Sequence, residues 1–391
     1  MEIQLNDQQE EAKRTFREFV VQEIIPQANQ YDRAEYTPRA LIEVVAQRGY
    51  LGACVPAIYG GQGMDMITFG VLHEEIGRGC SSIRSLLTVH SMVSYAICKW
   101  GNNQQKQRWL PHLATGDCIG AFALSEPEAG SDAKNLQTTA RQSGDTYYLT
   151  GRKKWITYGQ IADVFLLFAK EEDGISAFLV ERNTPGLEIH PITGMLGTRA
   201  SMLAELSLQN CPIPATSRLG GRGFGLAGVA TSVLDIGRYS VACGCVGLAQ
   251  ACLDDSLVYT QKHQQFGRPL KDFQLIQQMI TDMMVQTRAA RLLCYRAGYL
   301  KDQGSPDTIP ETWIAKYFAS TTAFKAASDA VQIHGAYGCS PDASVQRYLR
   351  DAKIMEIIEG STQIQQTTIA QYGYQEIGVQ SMKRAERMVQ I

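Results

Sequence analysis

The sequence lacks the features that mark several large classes of protein. Its 37 basic and 39 acidic residues nearly cancel, so no surplus of positive charge indicates a nucleic-acid or membrane-surface partner. No uninterrupted apolar run reaches the roughly 18–20 residues that a membrane-spanning helix requires. Residues 1–14 are polar and acidic, without the basic start and apolar core of a secretion signal. We therefore expect a cytoplasmic protein.

Cysteine and histidine are present, but not at the spacings that metal or redox chemistry uses. Of the ten cysteines, only Cys243 and Cys245 are close together, as C-x-C in an apolar helical segment rather than C-x-x-C. The six histidines form no H-x-x-x-H pattern. The sequence predicts reduced core thiols and no metal site.

The spacing of apolar residues changes twice along the chain, which predicts three domains and a tail. Residues 1–117 have helical periodicity, and residues 118–222 contain short β-branched and aromatic runs separated by turn-formers. The second region is expected to be an antiparallel β sandwich or barrel. Residues 223–375 return to long helices, which predict a four-helix bundle: 225–262, 273–302, 310–335 and 342–357. The tail, 376–391, is amphipathic and of unknown use. The fold class is therefore α+β and multi-domain.

Local signals predict where two N-terminal helices begin. Asp7 with Glu10 forms a candidate capping box, in which each side chain bonds to the other residue's backbone N–H. Thr37 followed by Pro38 is typical of an N-cap and the first position of a helix.

One stretch of the middle region, residues 122–132, has the sequence FALSEPEAGSD. A strand that ends in such a loop of small residues offers N–H groups and hydroxyls to the edge of a flat heteroaromatic ring, and Ser131 can donate to a phosphate. An ordinary β-turn fits the same spacing. The stretch resembles the T/S-E-P-x-A-G-S-D signature of acyl-CoA dehydrogenases. The resemblance continues in order from about residue 5 to 373 and is nearest to the short-chain and medium-chain group.

The resemblance implies an FAD site in the middle domain. Three residues are expected at the pyrimidine edge of the isoalloxazine: Phe122, Leu124 and Ser125. Ser131 is expected near both the flavin pyrophosphate and the substrate pantetheine. Trp155 and Thr157 match the family's W-I-T, which implies that the indole flanks the dimethylbenzene side and that the hydroxyl bonds near N5. Tyr158 stands where the family usually has Asn, a departure expected to alter the N5 side or the acyl pocket.

Two motifs of the C-terminal domain resemble those with which the family contacts FAD, and the loop of the first reaches the FAD of a neighbouring subunit. The first, QFGRPL at residues 265–270, contains Phe266 and implies a homo-oligomer, expected to be a tetramer or else a dimer. His263 stands where the family usually has an arginine on the pyrophosphate. A neutral imidazole binds phosphate less well than a guanidinium, so FAD is held less tightly or His263 is protonated. The second motif, QIHGAYG, is expected at the adenosine end through Gln332, Gly335 and Ala336.

The stretch IEGSTQIQ, residues 358–365, resembles the family's catalytic Y-E-G-T-S-Q-I-Q. The α-C–H of a thioester is weakly acidic, so its removal needs a base with a raised pKa in a dry pocket. Three isoleucines provide apolar surroundings that predict a raised pKa for Glu359: Ile357, Ile358 and Ile364. In the family, the thioester carbonyl bonds to the N–H of this glutamate and to a ribityl hydroxyl, while the β-hydride goes to flavin N5.

The resemblance also assigns residues around this base. Ser361 and Gln363 are expected on the cofactor side, and the substrate side is expected to contain Gly360, Asp235 and Arg238. Arg238 corresponds to a position near the base and Asp235 to one near the pantetheine, although both also fit helix-surface charges. Some relatives carry their base at the position of Gly237, which has no side chain to act. Glu359 is therefore the predicted catalytic residue.

The substrate carrier and the electron acceptor are left open by the sequence. The first interpretation is an acyl-CoA dehydrogenase that passes electrons to an electron-transfer flavoprotein. The alternative is the same flavin chemistry on an acyl group tethered to an acyl carrier protein in polyketide or nonribosomal peptide biosynthesis, which the departures at His263 and Tyr158 favour. A non-catalytic scaffold is opposed by the intact motifs. An oxidase is opposed by length, because acyl-CoA oxidases usually carry a further helical domain.

Overall fold

The N-terminal domain is helical, as its periodicity predicts. The computed structural model describes residues 4–389, with side chains from residue 4 to 377. The domain contains six α-helices: α1 (Asp7–Phe19), α2 (Ala28–Ala34), α3 (Arg39–Gln47), α4 (Met66–Gly79), α5 (Ser81–Trp100) and α6 (Asn103–Thr115). A π turn (Val20–Ile24) and a 3-10 turn (Ile25–Gln27) join α1 to α2.

Both predicted helix starts are wrong in detail. The capping box of α1 is formed by Asn6 and Gln9, because the Asn6 carboxamide already accepts the Gln9 N–H at 2.9 Å. The N-cap of α3 is Pro38. The Thr37 hydroxyl instead donates to the carbonyl of Ala200 at 2.8 Å, so a tertiary contact has displaced the local capping role.

The middle domain is built on an eight-stranded sheet. Its strands are β1 (Gly120–Ala123), β2 (Thr139–Ser143), β3 (Thr146–Ile156), β4 (Val164–Glu171), β5 (Gly174–Glu181), β6 (Leu187–Pro191), β7 (Ala204–Pro214) and β8 (Arg218–Leu219). The order is β6-β7-β3-β2-β4-β5-β8, and β1 pairs with β4. Most pairs are antiparallel, as predicted, but β1 and β2 each pair parallel with β4. The buried β4 pairs with β1, and the candidate flavin loop begins at the end of β1.

The C-terminal domain is a bundle of long helices. Its elements are a π turn (Gly225–Ala230), α7 (Thr231–Lys262), a hairpin of β9 (Gln264–Gln265) and β10 (Arg268–Pro269), α8 (Gln274–Asp302), α9 (Thr308–Gly338), α10 (Ser344–Met355) and α11 (Thr362–Val389). Gly335 interrupts α9 with φ 59° and ψ −141°. Residues 376–389 of the predicted tail continue α11, and 390–391 lie outside the described residues.

Helix α7 is the centre of this bundle and packs against α4, α5, α8 and α9. The segment Gly225–Lys262 is long and apolar enough to cross a membrane, yet 72% of its most apolar window is buried inside the protein. Its approach to α4 is very close. An ideal Cβ on Gly247 would lie 1.8 Å from the carbonyl oxygen of Glu74, and one on Gly77 would lie 2.6 Å from that of Gly244. The two backbones therefore touch, as they do in the core of a soluble bundle.

We expect Gly247→Ala to destabilise the protein, because α4 and α7 must separate to admit the methyl group. Overpacking of this kind costs about 3 kcal/mol or more of unfolding free energy. Denaturant unfolding followed by tryptophan fluorescence measures the loss. Gly373→Ala in α11 is the matched control, since nothing lies within 4 Å of its Cβ and alanine favours helix. Equal unfolding midpoints for Gly247→Ala and wild type would contradict the close packing.

Candidate active site

Glu359 lies in the turn between α10 and α11, in a left-handed conformation that few glutamates adopt. Its φ is 55°, and that of Gly360 is 91°. Three donors fix the two carbonyls of this turn. Arg238 Nε and Gln365 Nε2 donate to the Glu359 carbonyl at 3.0 and 3.2 Å, and Lys316 Nζ donates to the Gly360 carbonyl at 2.7 Å. The strained turn is thus held by side chains from α7, α9 and α11.

Glu359 as a whole is half-buried, and one oxygen of its carboxyl group, Oε2, is fully buried. Its Oε2 has no hydrogen-bond partner within the described part of the chain. An ideal Cβ on Gly237 would lie 2.6 Å from this oxygen, so the glycine provides the space for the carboxyl group. Burial raises the pKa of Glu359, although the charges of Arg238, Lys316 and Arg84 act to lower it. The net result is a carboxyl group with a raised pKa and a free oxygen.

Two of these cations were not predicted from the sequence. Lys316 is fully buried in α9, and burial lowers its pKa to about 8. Arg84 is buried in α5 and donates to the hydroxyls of Thr88 at 2.7 Å and Ser85 at 3.1 Å. The sequence feature that could have indicated Arg84 is its isolation, since it is the only Lys, Arg, Asp or Glu between residues 79 and 98.

The other residues predicted around the base have mixed surroundings. Asp235 forms an ion pair with Lys301, and its Oδ1 is buried without a partner in the described chain. Its role at the pantetheine stays a prediction. The Ser361 hydroxyl accepts the Ile364 N–H at 3.4 Å at the start of α11, and Gln363 is exposed. Both side chains are accessible beside the turn that contains Glu359.

A second group of predicted residues lies at the end of β1 and in the loop that follows: Phe122, Leu124 and Ser125. Lys153 of β3 fixes this loop. Its buried ammonium donates to the Leu124 carbonyl at 3.0 Å and to the Glu126 carboxylate at 2.7 Å. The Lys154 N–H donates to the Ser125 carbonyl at 2.9 Å. Lys153 and Glu126, missed as site residues, therefore hold the loop against β3.

Trp155 lies near the end of β3, and Thr157 is the first residue after this strand. Trp155 has φ 64°, and the side chain of this large apolar residue is 48% exposed. An exposed indole beside the Ser125 loop, with half-buried Thr157 two residues further on, fits the face and edge of a flat ring such as a flavin. Ser131 is exposed and accessible to a phosphate. Trp155, Thr157 and Ser131 therefore fit the isoalloxazine ring of FAD and the phosphate next to it.

Tyr158, where the family usually has Asn, is buried between two domains. Its hydroxyl lies 2.9 Å from the Thr37 hydroxyl and donates to the Ser82 carbonyl at 3.1 Å. These contacts tie the end of β3 to the start of α5. The departure therefore links the middle domain to the helix that carries Arg84.

The third group lies at the ends of α7 and α9. Phe266, in the β9–β10 hairpin, is 92% exposed. His263 and His334 both stack on the ring of Tyr259, with ring centroids 4.8 and 4.2 Å from that of Tyr259. These rings line a cavity of about 440 Å³. Three predicted residues next to it on α9 are exposed: Gln332, Gly335 and Ala336. An exposed phenylalanine fits the predicted contact with a second subunit, which stays a prediction.

Comparison with known proteins agrees with this architecture. The profiles of the acyl-CoA dehydrogenase N-terminal, middle and C-terminal domains match residues 6–117, 121–211 and 221–373. The mitochondrial short-chain specific acyl-CoA dehydrogenase of Rattus norvegicus is 39% identical over 374 residues, covering 94% of this chain and 90% of that protein.

Two solved structures are also similar. A glutaryl-CoA dehydrogenase from Mycobacterium smegmatis in complex with FADH2 has a TM-score of 0.90 at 30% identity, covering 94% of this chain and 95% of its own. The prolyl acyl carrier protein oxidase AnaB has a TM-score of 0.90 at 30% identity, covering 94% and 99%. The chain belongs to the acyl-CoA dehydrogenase family, whose members are flavin-dependent oxidoreductases.

We expect Lys153→Met to destabilise the protein by about 3–5 kcal/mol, because it leaves the Glu126 carboxylate buried without its cation. Lys153→Met combined with Glu126→Gln should recover part of this loss, since both charges are then removed. Urea unfolding midpoints measure the three proteins. Lys154→Met is the control, because its ion pair with Glu205 is partly exposed and contributes less than about 1 kcal/mol. If Lys153→Met were as stable as Lys154→Met, the stabilising role of the Lys153–Glu126 contact would be contradicted.

Proposed function

We propose that this chain oxidises the α,β carbon–carbon bond of an acyl thioester, with Glu359 as the base that accepts the α-proton. The observation that carries the proposal is the Glu359 carboxyl group. Its buried Oε2 has no partner among the described residues, and its backbone is held from three helices. A structural carboxylate at such a depth is normally paired. An unpaired one is suited to receive a proton.

The surroundings of Glu359 suit both the acceptance of the α-proton and the binding of the thioester carbonyl. Burial raises its pKa and thereby strengthens it as a base, while the charges of Arg238, Lys316 and Arg84 act in the opposite direction and favour its ionised form. Its backbone N–H donates to no backbone or side-chain acceptor within the described residues, so it is available to a thioester carbonyl. The fixed left-handed turn presents the N–H and the carboxyl group together.

The cofactor in this proposal is FAD, which when bound supplies the acceptor for the hydride of the β-carbon. Trp155, Thr157 and the Ser125 loop would hold its ring, and Ser131 would lie toward its pyrophosphate. We further propose that Phe266 reaches the FAD of a neighbouring subunit, so the working unit is a homo-oligomer, a tetramer in the first instance. A cytoplasmic location and an electron-transfer flavoprotein as acceptor complete the proposal.

A second candidate keeps the chemistry and changes the carrier. The similarity to AnaB, a prolyl acyl carrier protein oxidase, favours an acyl group tethered to a carrier protein. Because coenzyme A and carrier proteins present the same phosphopantetheine arm, the catalytic residues are the same for both. Anaerobic flavin reduction by matched acyl-CoA and acyl-carrier-protein thioesters separates the two.

Glu359→Gln should keep FAD and bind thioester, because the amide preserves both the side-chain shape and the backbone N–H. Flavin reduction should slow by about 10⁴-fold or more, since an amide cannot accept the α-proton. Stopped-flow bleaching of the flavin measures the rate. Glu356→Gln, three residues earlier and paired with Lys353 at 2.8 Å, is the matched control and should reduce its flavin normally. Near wild-type reduction by Glu359→Gln would refute the base assignment.

Lys316→Met should move the pH dependence of flavin reduction to higher pH. The Lys316 charge lowers the pKa of Glu359, so its removal raises that pKa, and the rate, which needs ionised Glu359, then rises at higher pH. The effect applies below about pH 8, where Lys316 itself is charged. Lys316→Arg keeps the charge and should show its rise in rate at nearly the same pH as wild type. Single-turnover flavin reduction measured as a function of pH tests this. A rise in rate at lower pH in Lys316→Met than in wild type would contradict the prediction.

A further inference from the structure

The end of β3, which holds two of the residues that fit a flavin ring, has an unusual backbone. Its register against β7 shifts between Lys153 and Ile156, as in a β-bulge. Trp155 lies in this irregular part with φ 64°, and Tyr158 follows with φ 55°. A left-handed conformation is costly for a bulky residue, and here it occurs twice within four residues. Such a backbone persists only where the surrounding structure holds it.

Tyr158 is held by its backbone, its ring and its hydroxyl. Its N–H donates to the Ser201 carbonyl at 2.8 Å, and its own carbonyl accepts the Ala162 N–H at 3.0 Å. Its ring is fully buried. Its hydroxyl lies 2.9 Å from that of Thr37 and donates to the Ser82 carbonyl at 3.1 Å. Burial raises the pKa of the phenol, which therefore stays a neutral hydrogen-bond donor.

The asparagine that relatives usually have at this position would need fewer contacts than the tyrosine. Asparagine is one of the few residues that enter the left-handed region readily, because its short polar side chain can bond to the nearby backbone. Tyrosine has no such local bond to offer. In this chain the conformation at position 158 is therefore enforced by the buried ring and the bonded phenol, rather than by the preference of the residue itself.

Thr157 lies between the two left-handed residues and is half-buried. Trp155 and Tyr158 set the direction of the chain on either side of it, so together they determine where its hydroxyl points. A bulge next to an active site commonly serves to redirect a side chain in this way. The indole of Trp155, which is 48% exposed, is directed by the same stretch of backbone. A change in the anchoring of Tyr158 would therefore move both side chains.

We propose that Tyr158 is a positioning residue for the flavin: its buried hydroxyl, bonded to α5, holds Trp155 and Thr157 in the orientation that meets the isoalloxazine ring. The inference rests on the proposed function, in which these two residues hold the ring. Tyr158 itself is enclosed by protein and acts through its two neighbours. Because Ser82 is in the first turn of α5, the same bond sets the position of the flavin site relative to the N-terminal domain.

The first test removes the hydroxyl and keeps the ring. Tyr158→Phe should retain FAD but change the visible circular dichroism of the bound flavin. Its equilibrium for two-electron reduction against a reference dye should change by about threefold or more, the effect of one displaced neutral hydrogen bond. Tyr147→Phe is the matched control and should match wild type, because Tyr147 is also buried on β3 and its hydroxyl is bonded to Glu171 and Arg218. A wild-type dichroism spectrum and dye equilibrium in Tyr158→Phe overturn the inference.

The second test separates the conformation of the segment from the stability of the protein. Tyr158→Asn and Tyr158→Ala both remove the ring and should both lower the temperature of unfolding, because each leaves a cavity. Asparagine favours the left-handed region, so Tyr158→Asn should keep flavin dichroism and a dye equilibrium closer to wild type than Tyr158→Ala does. A role in stability alone gives equally altered flavin in both variants, and that result overturns the inference. If either variant does not fold, Tyr158→Phe decides.

Anaerobic bleaching of the wild-type flavin by a panel of acyl-CoA and acyl-carrier-protein thioesters separates this inference from the proposed function. Altered flavin properties in Tyr158→Phe, with no bleaching of wild type by any thioester, would refute the dehydrogenation and support the positioning role. Bleaching of wild type, with unaltered flavin in Tyr158→Phe, would support the dehydrogenation and overturn the positioning role.

Discussion

The structure depends on keeping one carboxyl group buried, unpaired and fixed in place. A glutamate side chain in such a place would turn toward the nearest donor or toward water unless its backbone were held. Here Arg238, Lys316 and Gln365 hold the backbone through its carbonyls, and none of the described residues donates a hydrogen bond to Oε2 of the carboxyl group. The cations are therefore close enough to tune the pKa of Glu359 and are still engaged elsewhere. Packing of α7, α9 and α11 is what brings these donors to a single turn.

A buried side chain also holds a backbone carbonyl in the middle domain. Lys153 donates to a backbone carbonyl at the end of β1 and thereby fixes the loop beside Trp155. In both places a buried ammonium binds main chain at the point where a regular element ends. Lys153 has its charge balanced by Glu126, whereas Lys316 lies near a carboxyl group that must remain free. A purely structural contact tolerates a permanent ion pair, whereas the proton transfer that we propose for Glu359 requires a carboxyl group without one.

The parts of this fold that follow from local pattern were predictable from the sequence. The three-domain order, and a helix predicted at 273–302 and observed at Gln274–Asp302, rest on apolar spacing that each segment carries within itself. Thr37 was misjudged because its hydroxyl is taken by a contact with Tyr158, 121 residues away in the chain. Arg84 and Lys316 were missed for the same reason, since the role of a lone charge in an apolar helix is defined only by what packs against it.

The contact between Gly237 and Glu359 constrains how this enzyme family can change. A base at position 237 and a base at position 359 occupy the same volume, because even a Cβ at 237 would meet the Glu359 carboxyl group at 2.6 Å. A lineage that moves its base from one helix to the other must pass through a protein with two crowded, mutually repelling carboxylates or through one with none. Single substitutions therefore connect the two arrangements only through one of these two unfavourable forms. Each arrangement, once adopted, is retained by the physical cost of leaving it.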